Sequence, residues 1–409
     1  MDDNGSAMDS RAALALHGVR VLDLTHQVAG PSATLALAVL GADVVKVVAP
    51  GDRSSHDLLP FYFNNASKRS IVVDLKTDEG MELVLEMAQH ADVFAENFGP
   101  GVIERLGLSY EVLREINPRL VYAQIKGFAR NSPYERFPCW DPIAQAMSGA
   151  SSVTGEPDGL PMKPGPDVGD TGTGMMAALG IIAALYQRVS TGEGQLVEVS
   201  MADNVAAALR IQYGYPVGQN IPTPRFGNGP PFTFPTSPSG LFECTPFETN
   251  DYVHIHCGNE RQWQALLTAI GRTDLSDHEP YQGAEARGRC KEEVDEIVAT
   301  WTRQRTKLEA MRELGAAGVP AGAVRTTLEL LHDDDLYARG IFVRVPHPEL
   351  GTVTIPGWPV QMSASPARVT APPQPGQNGS EVISDWLGTS PEAAREQADA
   401  VAGGGVRRG

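Results

Sequence analysis

From Val19 onward, short runs rich in apolar residues alternate with stretches that have helical spacing. The run VRVLDL precedes the turn THQVAGP, the helical stretch SATLALAVLG and a second run, ADVVKVV. The same order recurs in SIVVDL, a helix near 79–90, ADVFAE, short helices near 102–116 and LVYAQI. Such alternation of strands and helices indicates a parallel sheet with helices on both faces. The pattern predicts an α/β fold whose large domain is a Rossmann-like open parallel sheet.

The second half of the chain has a different pattern. Residues 216–240 are rich in Pro and Gly and have no regular period, so we interpret them as a linker. GLFECT and YVHIHCG are then typical of a hairpin, and helices near 260–270, 291–302 and 307–317 follow, which predicts a smaller α+β domain. The predicted organisation is a disordered N-terminus at 1–17, a large domain at 18–215, the linker at 216–240, the small domain at 241–330, and a segment at 331–409 that returns to the large domain. The tail from Pro391 is expected to be disordered.

One acidic residue, Asp170, stands directly before the longest apolar stretch, in VGDTGTGMMAALGIIAAL at 168–185. Residues 175–186 are too few to span a membrane and are predicted to form a buried helix. Asp is a favoured N-cap residue, so its carboxylate could serve only to accept free amides at the helix start. Alternatively, Asp170 is a nucleophile whose neighbouring glycines allow a bulky substrate to approach. The stretch by itself leaves both interpretations open.

Composition excludes several classes of function. The chain has 409 residues and a formal net charge of -17, which would repel a polyphosphate backbone and disfavours nucleic-acid binding. Its four cysteines form no C-x-x-C pair, so neither a zinc site nor a disulfide framework is indicated. The HIH at 254–256 fits a half-buried strand, and no metal site is predicted. The N-terminal MDDNGSAMDS lacks the features of a targeting signal, so a cytoplasmic location is expected.

The carboxyl ends of the predicted strands lead into loops that should meet at one edge of the sheet, where α/β proteins bind ligands. These loops carry HQVAGP at 26–31, APG at 49–51, NFGPG at 97–101 and KGF at 126–128. They contain no G-x-G-x-x-G fingerprint and the chain has no P-loop, so a permanently bound nucleotide cofactor is not expected. In so acidic a chain, a few basic residues near this edge could form a phosphate-binding cluster: Lys68, Arg69, Lys76, Arg105 and Lys126.

Seven stretches resemble the class III coenzyme A transferases, the CaiB/BaiF family that includes formyl-CoA transferase and alpha-methylacyl-CoA racemase. They keep their order over nearly all of residues 18–205 and comprise GVRVLDLTHQVAGPSATLALAVLGADVVKV, NNASKRSIVVDLKTDEG, ENFGPGVIERLGL, INPRLVYAQIKGF, DPIAQAMSGASSVTG, GDTGTGMMAALGIIAAL and STGEGQLVEVSMAD. The resemblance implies an enzyme that moves CoA between an acyl-CoA and a carboxylic acid. It also implies an interlocked homodimer in which each chain threads through the other.

The resemblance assigns the nucleophile to Asp170. Its carboxylate would attack the thioester carbonyl, so that a mixed anhydride and then an aspartyl-CoA thioester form. Amides at Gly172 and Gly174 could stabilise the developing oxyanions. Asp141 matches an acidic position of the family and could assist, although N-capping of the helix that begins there explains it equally well.

Coenzyme A is implied only as part of a substrate. Its binding positions carry over to Val28, Ala29, Val73, Asp74, Leu75, Lys76, Asn97, Phe98, Gly99, Arg105, Pro138, Cys139 and Trp140. Phosphates are expected near Lys76 and Arg105, and adenine near Phe98.

Formyl-CoA transferase has glutamine where this chain has Val28 and arginine where it has Ala49, and its mobile glycine run has no equivalent here, which leaves the substrate open. Racemases carry a histidine where this chain has Trp140, and an indole has no basic lone pair. Transfer is therefore favoured over the alternatives, which are an acyl-CoA racemase or isomerase and a non-catalytic CoA-binding protein.

Overall fold

The computed structural model describes residues 14–229 and 236–404, which fall into two compact units. The large unit comprises the described residues of Met1–Ser151, Lys163–Arg210 and Asp335–Gly409, and the small unit those of Ser152–Met162 and Ile211–Asp334. Residues 1–13 and 405–409, for which disorder is expected, lie outside the described residues. Residues 230–235 of the predicted linker lie outside them as well. Residues 14–17, also expected to be disordered, form a turn in which the Leu16 amide donates to the Leu40 carbonyl over 2.9 Å.

Six parallel strands form the sheet of the large unit, in the order β3-β2-β1-β4-β5-β6. They are β1 (Arg20–Asp23), β2 (Asp43–Val48), β3 (Arg69–Val72), β4 (Val93–Glu96), β5 (Val121–Lys126) and β6 (Leu196–Ser200). The predicted α/β class and open parallel sheet are confirmed. The order reverses between β1 and β4, and in such sheets the crevice at this reversal is where ligands bind.

In the described residues up to Ala208, nine α-helices accompany these strands. They are α1 (Ala29–Val39), α2 (Ser54–Asp57), α3 (Leu59–Phe63), α4 (Asp78–His90), α5 (Val102–Arg105), α6 (Tyr110–Ile116), α7 (Asp141–Met147), α8 (Thr171–Thr191) and α9 (Met201–Ala208). Several of these helices have a side-chain cap at the N-terminus. At the start of α4, for example, the Thr77 hydroxyl accepts the Gly80 amide. None of the helices in the described ranges is both long and apolar enough to cross a bilayer.

Successive apolar residues of a strand point to opposite faces of the sheet, and both faces are buried. Leu22, Phe94 and Tyr122 pack on one face beneath α4 and α6. Val21 and Ala95 point to the other face, which α1 and α8 cover. This two-sided burial explains why apolar residues occupy neighbouring positions in the strands and not only every second one.

The long apolar helix is α8, but the prediction that residues 175–186 are buried is wrong. Met175 is 38%, Leu179 58% and Tyr186 81% exposed within this chain. Only the face of α8 with Ala177, Ile181 and neighbouring small residues packs against the sheet. The helix therefore has one buried face and one exposed apolar face.

The described part of the small unit contains an antiparallel three-stranded sheet and six α-helices. The strands, paired in the order β7-β8-β9, are β7 (Ser239–Glu243), β8 (Tyr252–His256) and β9 (Ala321–Ala323). The helices are α10 (Gly214–Gln219), α11 (Glu260–Ala269), α12 (Ala284–Arg289), α13 (Lys291–Thr302), α14 (Lys307–Ala316) and α15 (Thr327–Leu331). The structure thus contains the hairpin and the three longer helices predicted from the sequence. Residues 152–162 belong to this unit, whereas the sequence analysis placed them in the large domain.

The chain then returns to the large unit with α16 (Asp334–Ala338), the hairpin β10 (Phe342–His347) and β11 (Gly351–Pro356), α17 (Gly379–Leu387) and α18 (Pro391–Asp399). The prediction that the tail is disordered from Pro391 is wrong for residues up to 404. Ser390 caps α18, and Ala394 and Val401 are buried in the core beneath the sheet. The Val401 carbonyl also accepts the Asp74 amide over 2.8 Å, which fixes the tail to the end of β3.

Candidate active site

A cavity of about 290 Å³ lies in the large unit at the carboxyl ends of β1, β4, β5 and β6. It is lined by His26, Gln27, Ala29, Asn97, Phe98, Gly99, Pro100, Ile125, Lys126, Gly127, Glu135, Phe137, Pro138, Cys139, Trp140, Asp170 and Met201. Three of the four predicted loops, those at 26–31, 97–101 and 126–128, contribute to this lining together with Asp170, whereas the loop at 49–51 does not.

Asp170 occupies the N-cap position of α8, yet its side chain makes no capping hydrogen bond. Its backbone has φ -80° and ψ -70°, a helical conformation, whereas a capping residue is typically extended. The interpretation of Asp170 as a simple helix cap is therefore wrong. Its carboxylate lines the cavity, half-buried, and is left available to a ligand.

Asp141, the first residue of α7, holds the backbone that carries Asp170. Its Oδ1 accepts the amides of Gly169 at 2.8 Å and Asp170 at 3.2 Å, while its Oδ2 accepts the Gln145 side chain at 2.6 Å. No side chain caps α7 itself, so the alternative that Asp141 is an N-cap of its own helix is also wrong. Asp141 is 4% exposed, and its contacts fix the position of the Asp170 main chain.

Burial, followed by the negative charges of Asp141 and Asp167, raises the pKa of Asp170 to about 6. A carboxylate with this pKa is more basic than an ordinary aspartate but is still mostly ionised at neutral pH. A raised pKa of a carboxyl in a cleft is typical of functional sites, because structural acids are usually paired with a cation or hydrogen-bonded.

The two glycines after Asp170 differ in what they offer. The Gly174 amide donates to the Asp170 carbonyl over 2.9 Å, so the prediction that it binds an oxyanion is wrong. Gly174 is required for packing instead: a Cβ there would lie 2.6 Å from the Ala29 carbonyl oxygen, so only glycine lets α8 approach α1 this closely. Gly172 lies in the first turn of α8, where amides have no partner within the helix.

A buried ionic cluster beneath the first loop fixes the wall of the cavity that contains His26 and Ala29. Lys68 Nζ lies 3.0 Å from Asp23 Oδ2 and 2.8 Å from the Thr34 hydroxyl, and Lys46 Nζ lies 3.7 Å from Asp23 Oδ1. Although burial opposes it, contact with the two ammonium groups lowers the pKa of Asp23 well below its ordinary value. The cluster ties the end of β1 to α1 and so sets the path of the loop between them.

His26 and Asn97 join the first and second loops of the cavity. The His26 amide donates to Asn97 Oδ1 over 2.7 Å, and the Asn97 side-chain amide donates to the His26 carbonyl over 2.8 Å. The His26 ring packs edge-on against Phe98, with centroids 5.1 Å apart. Burial, and then the nearby Lys46 ammonium, lower the pKa of His26 to about 4, so the imidazole is neutral at physiological pH.

Cys139 lies beside Asp170 on the cavity wall. Burial, followed by the charge of Asp170, raises the pKa of the Cys139 thiol to about 11, so the sulfur is protonated and a poor nucleophile. Its Cβ packs directly on Gly127, where a side chain would collide with it.

Eight of the residues proposed from the sequence line this cavity together: Ala29, Asn97, Phe98, Gly99, Pro138, Cys139, Trp140 and Asp170. Val28 is the N-cap residue of α1 and does not line it. Of the segment 73–76, Val73 and Asp74 are buried and Leu75 packs against the core, so only the side chain of Lys76 is exposed.

The predicted basic cluster does not form. Lys68 is enclosed with Asp23, and Arg69 is held by Asp43 at 2.6 Å and Asp385 at 2.7 Å. Lys126 does reach the cavity but is paired at 2.8 Å with Glu96, which is buried. Lys76 and Arg105 have exposed side chains and lie outside the cavity lining.

Sequence analysis missed four residues of the cavity: Ile125, Glu135, Phe137 and Met201. Ile125 and Met201 could have been found, because they lie at the carboxyl ends of recognised strands. Glu135 and Phe137 occupy an irregular loop between β5 and α7, where no periodicity gives a signal. Among the residues that the structure describes, no group of three or more His, Cys, Asp or Glu is arranged to hold a metal ion.

Comparison with known protein families agrees with this geometry. The model for "CoA-transferase family III" matches residues 16–379. The chain belongs to this family.

Relatives of known name match over almost the whole chain. A protein of Streptomyces avermitilis named formyl-CoA:oxalate CoA-transferase is 40% identical over 402 residues, which cover 93% of this chain and 97% of that protein. A protein of the same name from Streptomyces coelicolor is 39% identical over 404 residues, which cover 94% and 98%. The crystal structure of a CAIB/BAIF family protein from Brucella suis has a TM-score of 0.82 at 29% identity, and the match covers 91% of this chain and 99% of that one. The protein is therefore a class III CoA-transferase.

Proposed function

We propose that this CoA-transferase moves CoA between an acyl-CoA and a carboxylic acid through covalent intermediates on Asp170. The observation that supports this most strongly is the uncapped Asp170 carboxylate, which lines the cavity and has a pKa raised to about 6. Such a group is ionised, more basic than usual and reachable by a thioester. Covalent catalysis by a carboxylate replaces one slow exchange by several faster steps.

Each step exchanges one bond at a carbonyl carbon. The Asp170 carboxylate attacks the thioester carbonyl, and CoA leaves as a thiolate, which produces a mixed anhydride. The thiolate then attacks the Asp170 carbonyl of the anhydride, which releases the donor acid and forms an aspartyl-CoA thioester. The acceptor carboxylate reopens this thioester by the reverse chemistry, and the returning thiolate forms the new acyl-CoA and frees Asp170.

Asp141 and Gly172 have supporting roles in this proposal. Asp141 accepts the amides of Gly169 and Asp170 and so holds the nucleophile in one position, which reduces the entropy lost when the reactants meet. Of the two glycines, Gly172 is the one whose amide remains as a donor for an oxyanion, and it lies at the positive end of α8.

The CoA moiety is proposed to run along the loops that end β4 and β5. Asn97, Phe98 and Gly99 form one wall of the cavity and Pro138 to Trp140 another, which suits the pantetheine arm. The exposed Lys76 and Arg105 remain candidates for phosphate contacts outside the cavity.

We further propose that the protein is an interlocked homodimer. The exposed face of α8 carries Met175, Leu179, Tyr186 and Val189, spaced so that they lie on one side of the helix. Val189 is 85% exposed within this chain. Large apolar side chains aligned in this way are typical of a surface covered by another chain. Light scattering would test the proposal, with a mass near twice 43.8 kDa expected.

The experiment for the mechanism is incubation with a panel of acyl-CoA thioesters, trapping by hydroxylamine and peptide mass spectrometry. We expect an Asp170 hydroxamate, absent in Asp170→Asn and in Asp170→Ala. The matched control is Asp167→Asn, which removes an exposed acid three residues away and should keep the adduct.

The alternatives give different results in the same assay. Exchange of the α proton for deuterium without an adduct would support a racemase, and tight CoA binding with neither result would support a non-catalytic protein. CoA transfer that persists in Asp170→Ala would contradict the proposed mechanism.

A further inference from the structure

The wall of the cavity formed by residues 134–140 is aromatic and open. Phe137 is 57% and Trp140 59% exposed, although both line the cavity that contains Asp170. Tyr134 packs against Phe137 with ring centroids 5.7 Å apart, so the rings form a connected apolar surface. Ile125 and Met201 line the same cavity. A ligand here gains most by burying an apolar body.

The positively charged groups on the cavity wall are already neutralised. The pKa of His26 is lowered to about 4 by burial, so its ring carries no charge at neutral pH. Lys126 Nζ donates to Glu96 at 2.8 Å and to the Phe98 carbonyl at 2.7 Å. Among the described residues that line the cavity, these are the basic ones, and neither offers an unpaired positive charge to a substrate anion.

Negative charge, in contrast, is in excess around the nucleophile. Glu135 lines the cavity, and Asp141 and Asp167 lie close enough to raise the pKa of Asp170. Lys163 lies 3.8 Å from Asp141 and 3.6 Å from Asp167, so one ammonium is shared by two acids. When Asp170 forms the CoA thioester it loses its own charge, but the other three acids, offset by the single Lys163 ammonium, still leave net negative charge that repels a second carboxylate on the acceptor.

We propose that the acceptor is a monocarboxylic acid with an apolar or aromatic body, and that dicarboxylic acids such as oxalate are poor acceptors. This rests on the proposed function: one carboxylate is consumed by the aspartyl-CoA thioester, and the rest of the acid meets aromatic rings and negative charge. The proposal separates this chain from its Streptomyces relatives at about 40% identity, whose names specify oxalate.

Four-carbon acids provide a matched pair of acceptors. Butyrate and succinate have equal chain length and differ in one terminal group, methyl or carboxylate, and phenylacetate and oxalate extend the comparison. Each acid is incubated with the protein and an acyl-CoA donor that gives the Asp170 adduct. The CoA thioesters that form are separated by liquid chromatography and quantified. We expect kcat/KM for butyrate and phenylacetate to exceed that for succinate and oxalate at least tenfold. Equal or greater values for succinate or oxalate would overturn the proposal.

Two variants test the charge argument at the wall itself. Phe137→Arg introduces a cation into the cavity, and Glu135→Gln removes an anion while keeping an acceptor for the Asn131 amide. Both should raise the succinate-to-butyrate ratio of kcat/KM, the arginine variant at least tenfold. The matched control is Phe247→Arg, at a similarly exposed phenylalanine of the small unit, which should leave the ratio unchanged.

The failure of this inference can be told from that of the proposed function. If no donor gives an adduct on Asp170, the mechanism fails and so does the inference that rests on it. If the adduct forms but dicarboxylates are the best acceptors, or the ratio does not respond in either wall variant, only the inference about substrate class fails.

Discussion

Replacing Asp170 by Asn should stabilise the folded protein at neutral pH while it abolishes the adduct. The Asp170 carboxylate has no capping hydrogen bond to lose, and burial raises its pKa from an ordinary 3.8 to about 6. Because the folded state then binds the proton more tightly than the unfolded state, stability falls as the pH rises from about 4 to about 6 and stays lower above it. An uncharged amide removes this cost.

The magnitude follows from the rise in the Asp170 pKa. At about 1.4 kcal/mol per pKa unit, the full cost of the ionised carboxylate would be about 3 kcal/mol. Since Asp170 is only half-buried and faces an open cavity, solvent screens part of this, and we expect a gain of about 1–2 kcal/mol for Asp170→Asn at pH 8. At pH 4 the gain should shrink to roughly a few tenths of a kcal/mol, because the folded protein then holds the proton and the unfolded chain, close to the ordinary pKa of 3.8, is itself partly protonated.

Urea unfolding of the wild type, Asp170→Asn and Asp170→Ala at pH 8 and pH 4 measures this. A capping role would give the opposite order, with Ala destabilised by about 0.5–2 kcal/mol and Asn near the wild type. Asp167→Asn, at an acid whose side chain is 61% exposed, should change stability by less than about 0.5 kcal/mol. The assigned cost of the ionised Asp170 carboxylate would be refuted if Asp170→Asn were no more stable than the wild type at pH 8. It would also be refuted if the gain in the free energy of unfolding were the same at both pH values.

The rate of adduct formation should fall as the pH drops below about 6, because protonation of Asp170 removes the nucleophile; single-turnover release of CoA against pH measures this. Asp141→Ala should slow adduct formation at least tenfold and lower stability by about 1–3 kcal/mol, since two buried amides lose their acceptor; Gln145→Ala, which keeps that acceptor, is the control. Lys68→Met should cost about 3–5 kcal/mol in thermal unfolding by removing the nearer ammonium partner of buried Asp23; an unchanged midpoint would contradict that role.

The sheet could be predicted from sequence because its signal is local. Strands such as β2 and β5 are short segments in which four of the six residues are apolar, and each is followed within a few residues by Gly or Pro. The tail could not be predicted. In α18 only Ala394 is buried, so the helix is polar along most of its length and its stability depends on contacts made by Val401 and the end of β3.

Charged residues were the least predictable part of the site, because their partners are distant in sequence. Lys68 meets Asp23 across 45 residues, and Arg69 meets Asp385 across 316. A sequence reading assigns both side chains to solvent by default and so offers them to phosphate. The folded chain uses them instead to neutralise buried acids.

The two acids at the cavity explain each other. The amides of Gly169 and Asp170 lie just before the first turn of α8, and Asp141 accepts both from 28 and 29 residues earlier in the chain. The Asp170 carboxylate makes no capping hydrogen bond to α8, and burial, followed by the negative charges of Asp141 and Asp167, raises its pKa. The same arrangement that makes the Asp170 carboxylate costly to the fold makes it basic enough to attack a thioester, so the stability and the reactivity of this residue should change together.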